Sequence, residues 1–417
     1  MKQATLESHV DPSLLDPLTD VLRSGAKTLL KKALEAEIQE LLSQYNDVLT
    51  LDGKRAIVRN GYLLERAIQT GIGAIPVRVP KVRDRSFGGV KFRSSLVPPY
   101  LRRSQSMEEL IPWLYLKGVS TGDFAEALSA IVGEQAVGLS PSVVCRLKQK
   151  WSEEYNQWNS RSLEHTNFVY FWADAVYFAI RGEQSSQCML VIIGARDDGT
   201  KELVALQEGY RESSEGWSQM LRDVRERGLQ AAPKLCIADG ALGFWSALRD
   251  VFPYAKHQRC WQHKTANAID KLPSSAQATA RAELKNIHMA GTKEEAESAW
   301  GKFVRKYEAK HPRAVACLEK NKDEMLTFFD FPAEHWIHLR TTNVIESVFS
   351  TVRLRTVKTR NCVSQQTILS LVYKLVQSAE KRWKRLRGHS KLALVADNIQ
   401  FENGIEIHQE KTLENAA

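Results

Sequence analysis

The sequence predicts an α/β core interrupted by an all-α insertion and preceded by a mainly helical N-terminal region. Three observations predict it. From Asn167 the text turns into runs rich in aromatic and β-branched residues, the signature of strands. After Ser214 helical rhythm alternates with the short strands KLCIAD and AKHQRCW. From Ala266 to Leu339 only helical periodicity remains. A chain of 417 residues is long enough for two or three domains.

Taken in order, residues 1–60 form an N-terminal helical region. Leu18, Leu22, Leu29, Leu30, Leu34, Ile38, Leu41 and Leu42 keep a helical rhythm, which predicts one or two amphipathic helices and a contact with a partner or a neighbouring domain. Residues 61–105 read as a small basic β-rich segment, where Arg78, Lys81, Arg83 and Arg85 alternate with apolar residues. That alternation suits a solvated connector and equally a ribbon along a phosphate backbone. Residues 106–160 read as three short helices. Ser106 and Glu109 have capping-box spacing, a second helix is expected over 121–132, and Ser140–Pro141 opens a third. Arg146, Lys148 and Lys150 point outward from the third, the arrangement of a helix-turn-helix DNA-binding domain.

Residues 161–265 hold the first part of the α/β core. NFVYFWADAVYFAI, QCMLVIIGARDD and ELVALQEGY predict an antiparallel meander, with Gly182 and Asp198–Gly199 as turns. Three antiparallel strands followed by α-β-α-β units is the element order of an RNase H-like fold. Helices over 276–289, 293–307 and 314–328 fill the insertion at 266–339, and 340–390 supplies the last core helices. Asp239 and Glu346 stand 107 positions apart, too far for a simple connection, which the insertion explains. A basic run around Trp383 precedes a flexible tail at 391–417.

The net charge of +9 comes from 58 basic over 49 acidic residues and points to a polyanionic partner, most commonly nucleic acid. No apolar run reaches membrane-spanning length and no secretion signal opens the chain, so a cytoplasmic, nucleoid-associated protein is expected. The six cysteines are scattered without a paired framework, which fits a reducing compartment.

Three acids stand out. Asp174 lies inside a strand, where a carboxylate is costly unless paired, hydrogen-bonded or metal-bound. Asp239 closes the fourth strand, at the end where open α/β sheets present ligand-binding residues. Glu346 belongs to RTTNVIESVFSTVRLRTVKTR, from Arg340 to Arg360. At about 100° per residue, Glu346, Arg353 and Arg360 fall within roughly 40° of one another on one helix stripe. Alone, that stripe reads first as a solvated charged face. With Asp174 and Asp239 it suggests three carboxylates holding two Mg²⁺ ions, for which Mn²⁺ can substitute, with Arg353 beside the phosphate. Arg340 and Arg360 are further expected DNA contacts.

The segments DGALGFWSALRDVFPYAKHQRCWQHK and LRTTNVIESVFSTVRLRT, together with KGVSTGDFAEAL, resemble bacterial insertion-sequence transposases of the Mutator superfamily. The resemblance runs from about Gly61 to the basic tail. It implies a DDE triad, here Asp174, Asp239 and Glu346, in an RNase H-like core with a helical insertion. It also implies Mg²⁺-dependent cleavage and strand transfer, double-stranded DNA partners (terminal inverted repeats and target DNA), and a homodimer on paired ends. The family's Cys-x-x-His pair falls on Cys260 and His263, read as positioning residues near the catalytic centre. One departure is Gly122, where the family often has arginine. A non-catalytic DNA-binding regulator derived from a transposase is the alternative reading.

Overall fold

The computed structural model describes residues 17–86, 88–116, 119, 126–127, 141–178, 187–209, 213–240, 242–358 and 365–407. Its contacts divide the chain into two units, Met1–Cys145 and Arg146–Ala417.

In the first unit, helix α1 (Pro17–Gln44) is a single helix. Its Leu34 packs with Ile68, Ile75, Val77, Val79 and Val97 in a small core. Leu18, Val21, Leu22 and Leu29 on the same helix are exposed. Strands β2 (Arg66–Thr70) and β3 (Gly73–Val77) form a hairpin, and β1 (Ile57–Tyr62) pairs antiparallel with β4 (Pro80–Asp84). Gly73 has φ 103°, a conformation open to glycine, where the hairpin turns beneath Arg23. Helix α2 (Gln105–Leu116) starts within one residue of the expected capping box.

Helix α3 (Pro141–Asn159) begins where the third short helix was expected but runs on to Asn159. The reason is packing: Trp151 and Tyr155 are buried, and the Tyr155 hydroxyl donates to the Leu206 carbonyl at 2.8 Å. The unit boundary therefore falls inside the segment expected as one 106–160 domain. The middle helix expected over 121–132 lies outside the described residues, except 126 and 127.

The second unit is built on a five-stranded mixed sheet of β5 (Phe168–Phe178), β6 (Gln187–Arg196), β7 (Lys201–Gly209), β8 (Leu235–Ala238) and β9 (Lys256–Arg259), in the order β7-β6-β5-β8-β9. The first three strands are antiparallel, with the expected turn at Asp198–Gly199 while Gly182 lies outside the described residues, and β5, β8 and β9 run parallel. One face of β5 carries Phe171, Ala173 and Ala175 into a core with α4 (Ser214–Glu226) and α5 (Leu242–Val251), through Trp217, Leu221, Phe244 and Trp245. Strand alternation sends Tyr170, Trp172 and Asp174 to the opposite face. There Tyr170 Oη meets His335 Nδ1 at 2.8 Å and Trp172 Nε1 donates to the His338 carbonyl. Gly194 on β6 is required by close approach, since a Cβ there would stand 2.5 Å from Phe168.

Helices α6 (Trp261–Ile269), α7 (Ser274–His288), α8 (Lys293–Tyr307), α9 (Pro312–Glu319) and α10 (Lys322–Leu326) form the insertion, and the last expected helix is broken at Lys320–Asn321. A short α11 (Trp336–Leu339) leads to α12 (Asn343–Lys358), followed by α13 (Gln365–Glu380). The stretch from 391, expected as a flexible tail, is folded through 407 as α14 (Leu392–Ala396) and a small hairpin, β10 (Phe401–Glu402) with β11 (Ile405–Glu406). The insertion holds it in place: Gly404 N–H donates to the Phe329 carbonyl, and Lys293 N–H to Asn403 Oδ1.

Candidate active site

Parallel pairing brings the first two acids together. Ala173 on β5 is in register with Ala238 on β8, so the next residue on each strand is Asp174 and Asp239. Neighbouring strands lie about 4.8 Å apart, which sets the two residues side by side where β8 ends. Asp174 is half-buried, and its Oδ1 accepts from Ala175 N–H at 2.8 Å. Gly240 N–H donates to Asp239 Oδ1.

The third acid arrives on α12, which buries Ile345, Val348, Phe349 and Val352 along one side, as its spacing predicts. Glu346 sits in the first turn. Its Oε1 accepts from Thr342 Oγ1 at 3.0 Å and lies 3.9 Å from His263 Nε2. Thr342 is fully buried, and its N–H and hydroxyl both lie 3.4 Å from Cys260 Sγ. Cys260 itself precedes α6.

His263 stands between Cys260 and Glu346. Its pKa is pushed up to about 9, first by contact with the Cys260 thiol and, against the desolvation that lowers it, by the negative charges of Asp239 and Asp174. In distance, His263 is closest to Glu346, with Nε2 3.9 Å from Oε1. One donor atom from each of Cys260, His263 and Glu346 lies within 4.8 Å of the other two.

Two side chains absent from the sequence expectations hold this arrangement. Arg259, whose side chain is only 7% exposed, donates from Nη1 to the Asp239 carbonyl at 3.1 Å and from Nε to Glu324 at 2.9 Å. Its guanidinium lies over the Trp245 ring, and Trp245 Nε1 donates to the same carbonyl at 2.8 Å. Thr342 is the other. The signal for Thr342 was its place before a helix, a capping position. The signal for Arg259 was a basic residue inside a short strand that ends the sheet.

The expected basic contacts scatter. Arg353 is exposed two turns beyond Glu346 on α12. Arg340 turns inward, its guanidinium over Phe328 and Trp336 and its Nη1 3.4 Å from Met289 Sδ, and burial pushes its pKa down to about 10. Arg360 lies outside the described residues. Arg146 and Lys150 are exposed on α3 and Lys148 is half-buried. In the first unit, Lys81 and Arg83 share the exposed face of β4, and Arg78 is exposed 3.9 Å from Glu65. No described helix is long and apolar enough to cross a membrane.

The site thus draws on residues from the two central sequence motifs, and the chain as a whole is similar to known proteins. The family model described as "Transposase, Mutator family" covers residues 2–386. The chain belongs to the Mutator family of transposases. It is 48% identical over 280 residues to the transposase for insertion sequence element IST2 of Acidithiobacillus ferrooxidans, covering 67% of this chain and 95% of that protein. Identity is 46% over 298 residues to the transposase for insertion sequence element IS6120 of Mycolicibacterium smegmatis, covering 72% and 92%. The transposase for insertion sequence element ISRM5 of Rhizobium meliloti (strain 1021) aligns over 389 residues at 28% identity, covering 90% and 94%.

As a metal site, the donor set of this Mutator-family chain fits hard divalent cations. Two aspartates stand side by side on neighbouring strands and a third acid sits in the first turn of α12, oxygen ligands of the type Mg²⁺ takes. Cys260 and His263, which group with Glu346, add softer donors of the kind Zn²⁺ accepts.

Proposed function

We propose that this chain is a DDE-type DNA transposase with an RNase H-like core and a helix-turn-helix, in which Asp174, Asp239 and Glu346 hold two Mg²⁺ ions. It binds the terminal inverted repeats of its own element as a homodimer on paired ends, cleaves there, and joins those ends to target DNA. The observation that carries this reading is the register of Ala173 with Ala238, which sets Asp174 and Asp239 side by side.

When bound, the metal pair supplies activation of water or a 3′-hydroxyl and stabilisation of the departing oxygen. The protein's own groups orient those acids. Arg259 and Trp245 fix the Asp239 backbone through its carbonyl, leaving the carboxylate to face the site. Thr342 holds one oxygen of Glu346 and the Cys260 thiol. His263 Nε2 lies 3.9 Å from Glu346 Oε1, beside the acid that α12 delivers.

The test is a strand-transfer assay: a labelled terminal-repeat duplex, Mg²⁺ or Mn²⁺, and a supercoiled target plasmid. Label joined to plasmid is the expected result. Cutting without joining would make the chain a nuclease, and binding with neither would make it a regulator.

A further inference from the structure

Helix α6 carries His263 on one side and, three residues apart on another, Gln262 and Thr265. The latter two line a groove of about 390 Å³ between α6 and α7, completed by Arg281, Lys285, His288 and Thr341. Nothing acidic lines it. Arg281 and Lys285 are exposed and four residues apart on α7, so they share a face, and neither forms an ion pair among the described residues. The groove floor is aromatic, with His288 stacked on the buried Trp261 at 5.2 Å.

Two links tie this groove to the candidate active site. Thr341 immediately precedes Thr342, which holds Glu346 and Cys260, and α6 follows directly from Cys260. Whatever lies in the groove therefore lies against the second face of the elements that deliver His263 and Glu346. Its wall offers two unpaired cations, two hydroxyls and a carboxamide, donors matched to phosphate oxygens.

We propose that this groove seats the phosphodiester backbone of DNA next to the scissile position, with Arg281 and Lys285 as its phosphate contacts. The proposal rests on the reading of the chain as a DNA transposase and assigns a site to it. Because phosphate contacts carry no sequence information, they act on cognate and random duplexes alike.

The experiment compares the full-length wild type with R281Q/K285Q and with R313Q/K320Q, which removes the same charge from exposed positions on and just after α9. Binding of a short terminal-repeat duplex and of a random duplex is followed over a salt series. The groove variant is expected to lose about two units of the slope of log K against log salt on both duplexes, about 0.9 per phosphate contact. The control variant should keep the wild-type slope, and all three proteins should melt alike. Equal slopes in wild type and R281Q/K285Q, or equal losses in the two variants, would overturn the groove. A wild type that binds no duplex would overturn the groove and the transposase reading together.

Discussion

Arg259 reaches the backbone carbonyl of Asp239 at 3.1 Å while its Nε holds Glu324 at 2.9 Å, so one buried guanidinium fastens a sheet acid to the helical insertion. The strand end that presents Asp239 is thereby coupled to a helix that lies 65 positions beyond Arg259. Asn321 Nδ2 donates to the same Glu324 oxygen, and Lys264 Nζ to Asn321 Oδ1, which extends the link back to α6.

Replacing Arg259 should therefore disturb chemistry more than binding. Arg259→Gln is expected to lower metal-dependent nicking on the order of 100-fold, the effect of a displacement of about 1 Å at a reacting group. Duplex affinity should stay near wild type. Arg259→Lys keeps the charge but not the fork, so it should recover only part of the rate. A nicking assay over a Mn²⁺ titration checks this, because a mere loss of stability would not move the half-saturating metal concentration.

Thr342 gives a second, independent handle on Glu346. Thr342→Val removes the hydroxyl that lies 3.0 Å from Glu346 Oε1 and 3.4 Å from Cys260 Sγ while keeping the shape. Nicking should fall roughly 10- to 100-fold, the usual cost of losing a partner that orients a metal ligand. Thr342→Ser should restore most of it. Single-turnover rates of the two variants make the comparison.

The close approach at Gly194 is a matter of stability. A Cβ there would lie 2.5 Å from Phe168 and 2.7 Å from Val204, both buried, so Gly194→Ala should cost about 1–3 kcal/mol. Gly25, mid-helix in α1 with nothing within 4 Å of an added Cβ, gives the contrast. Gly25→Ala should stabilise by about 0.5–1 kcal/mol through helix propensity. Urea unfolding curves of both variants report the two signs.

Acid sensitivity follows from His338. Burial, then the charges of Lys201, His335 and Arg387, depress its pKa from 6.5 to about 4, and its Nε2 accepts from Arg387 N–H. The folded imidazole is neutral, whereas the unfolded chain takes up a proton near the ordinary value. Its contribution to stability is thus complete above about pH 6.5 and is lost as pH falls towards 4. His288, also lowered to about 4 chiefly by burial, acts in the same direction. The melting temperature should drop between pH 7 and pH 5, and less steeply in His338→Gln, which retains an acceptor for Arg387. Thermal melts at the two pH values measure it.

Much of the core was legible because its signals are local. Alternation in NFVYFWADAVYFAI and the turn at Asp198–Gly199 determine β5 to β7, and the heavy apolar face of α12 fixes where Glu346 points. Asp174 and Asp239 stood out because acids in apolar strand runs are costly without a partner. What stayed hidden depends on contacts distant in sequence. Thr342 finds Cys260 across 82 positions, and Asn403 finds Lys293 across 110, which is why a polar tail proved to be folded. The length of α3 likewise needed Leu206 as a partner for Tyr155. Arg340 looked like a DNA contact by charge, but Phe328 and Trp336 draw it inward.

The central claim is that Asp174, Asp239 and Glu346 act as one metal-binding triad. The most direct measurement is nicking of a labelled terminal-repeat duplex with Mn²⁺ by wild type and by Asp174→Asn, Asp239→Asn and Glu346→Gln, with duplex binding followed in parallel. Each substitution should abolish nicking and leave binding intact. Nicking that survives any one of the three at the wild-type rate would contradict the triad.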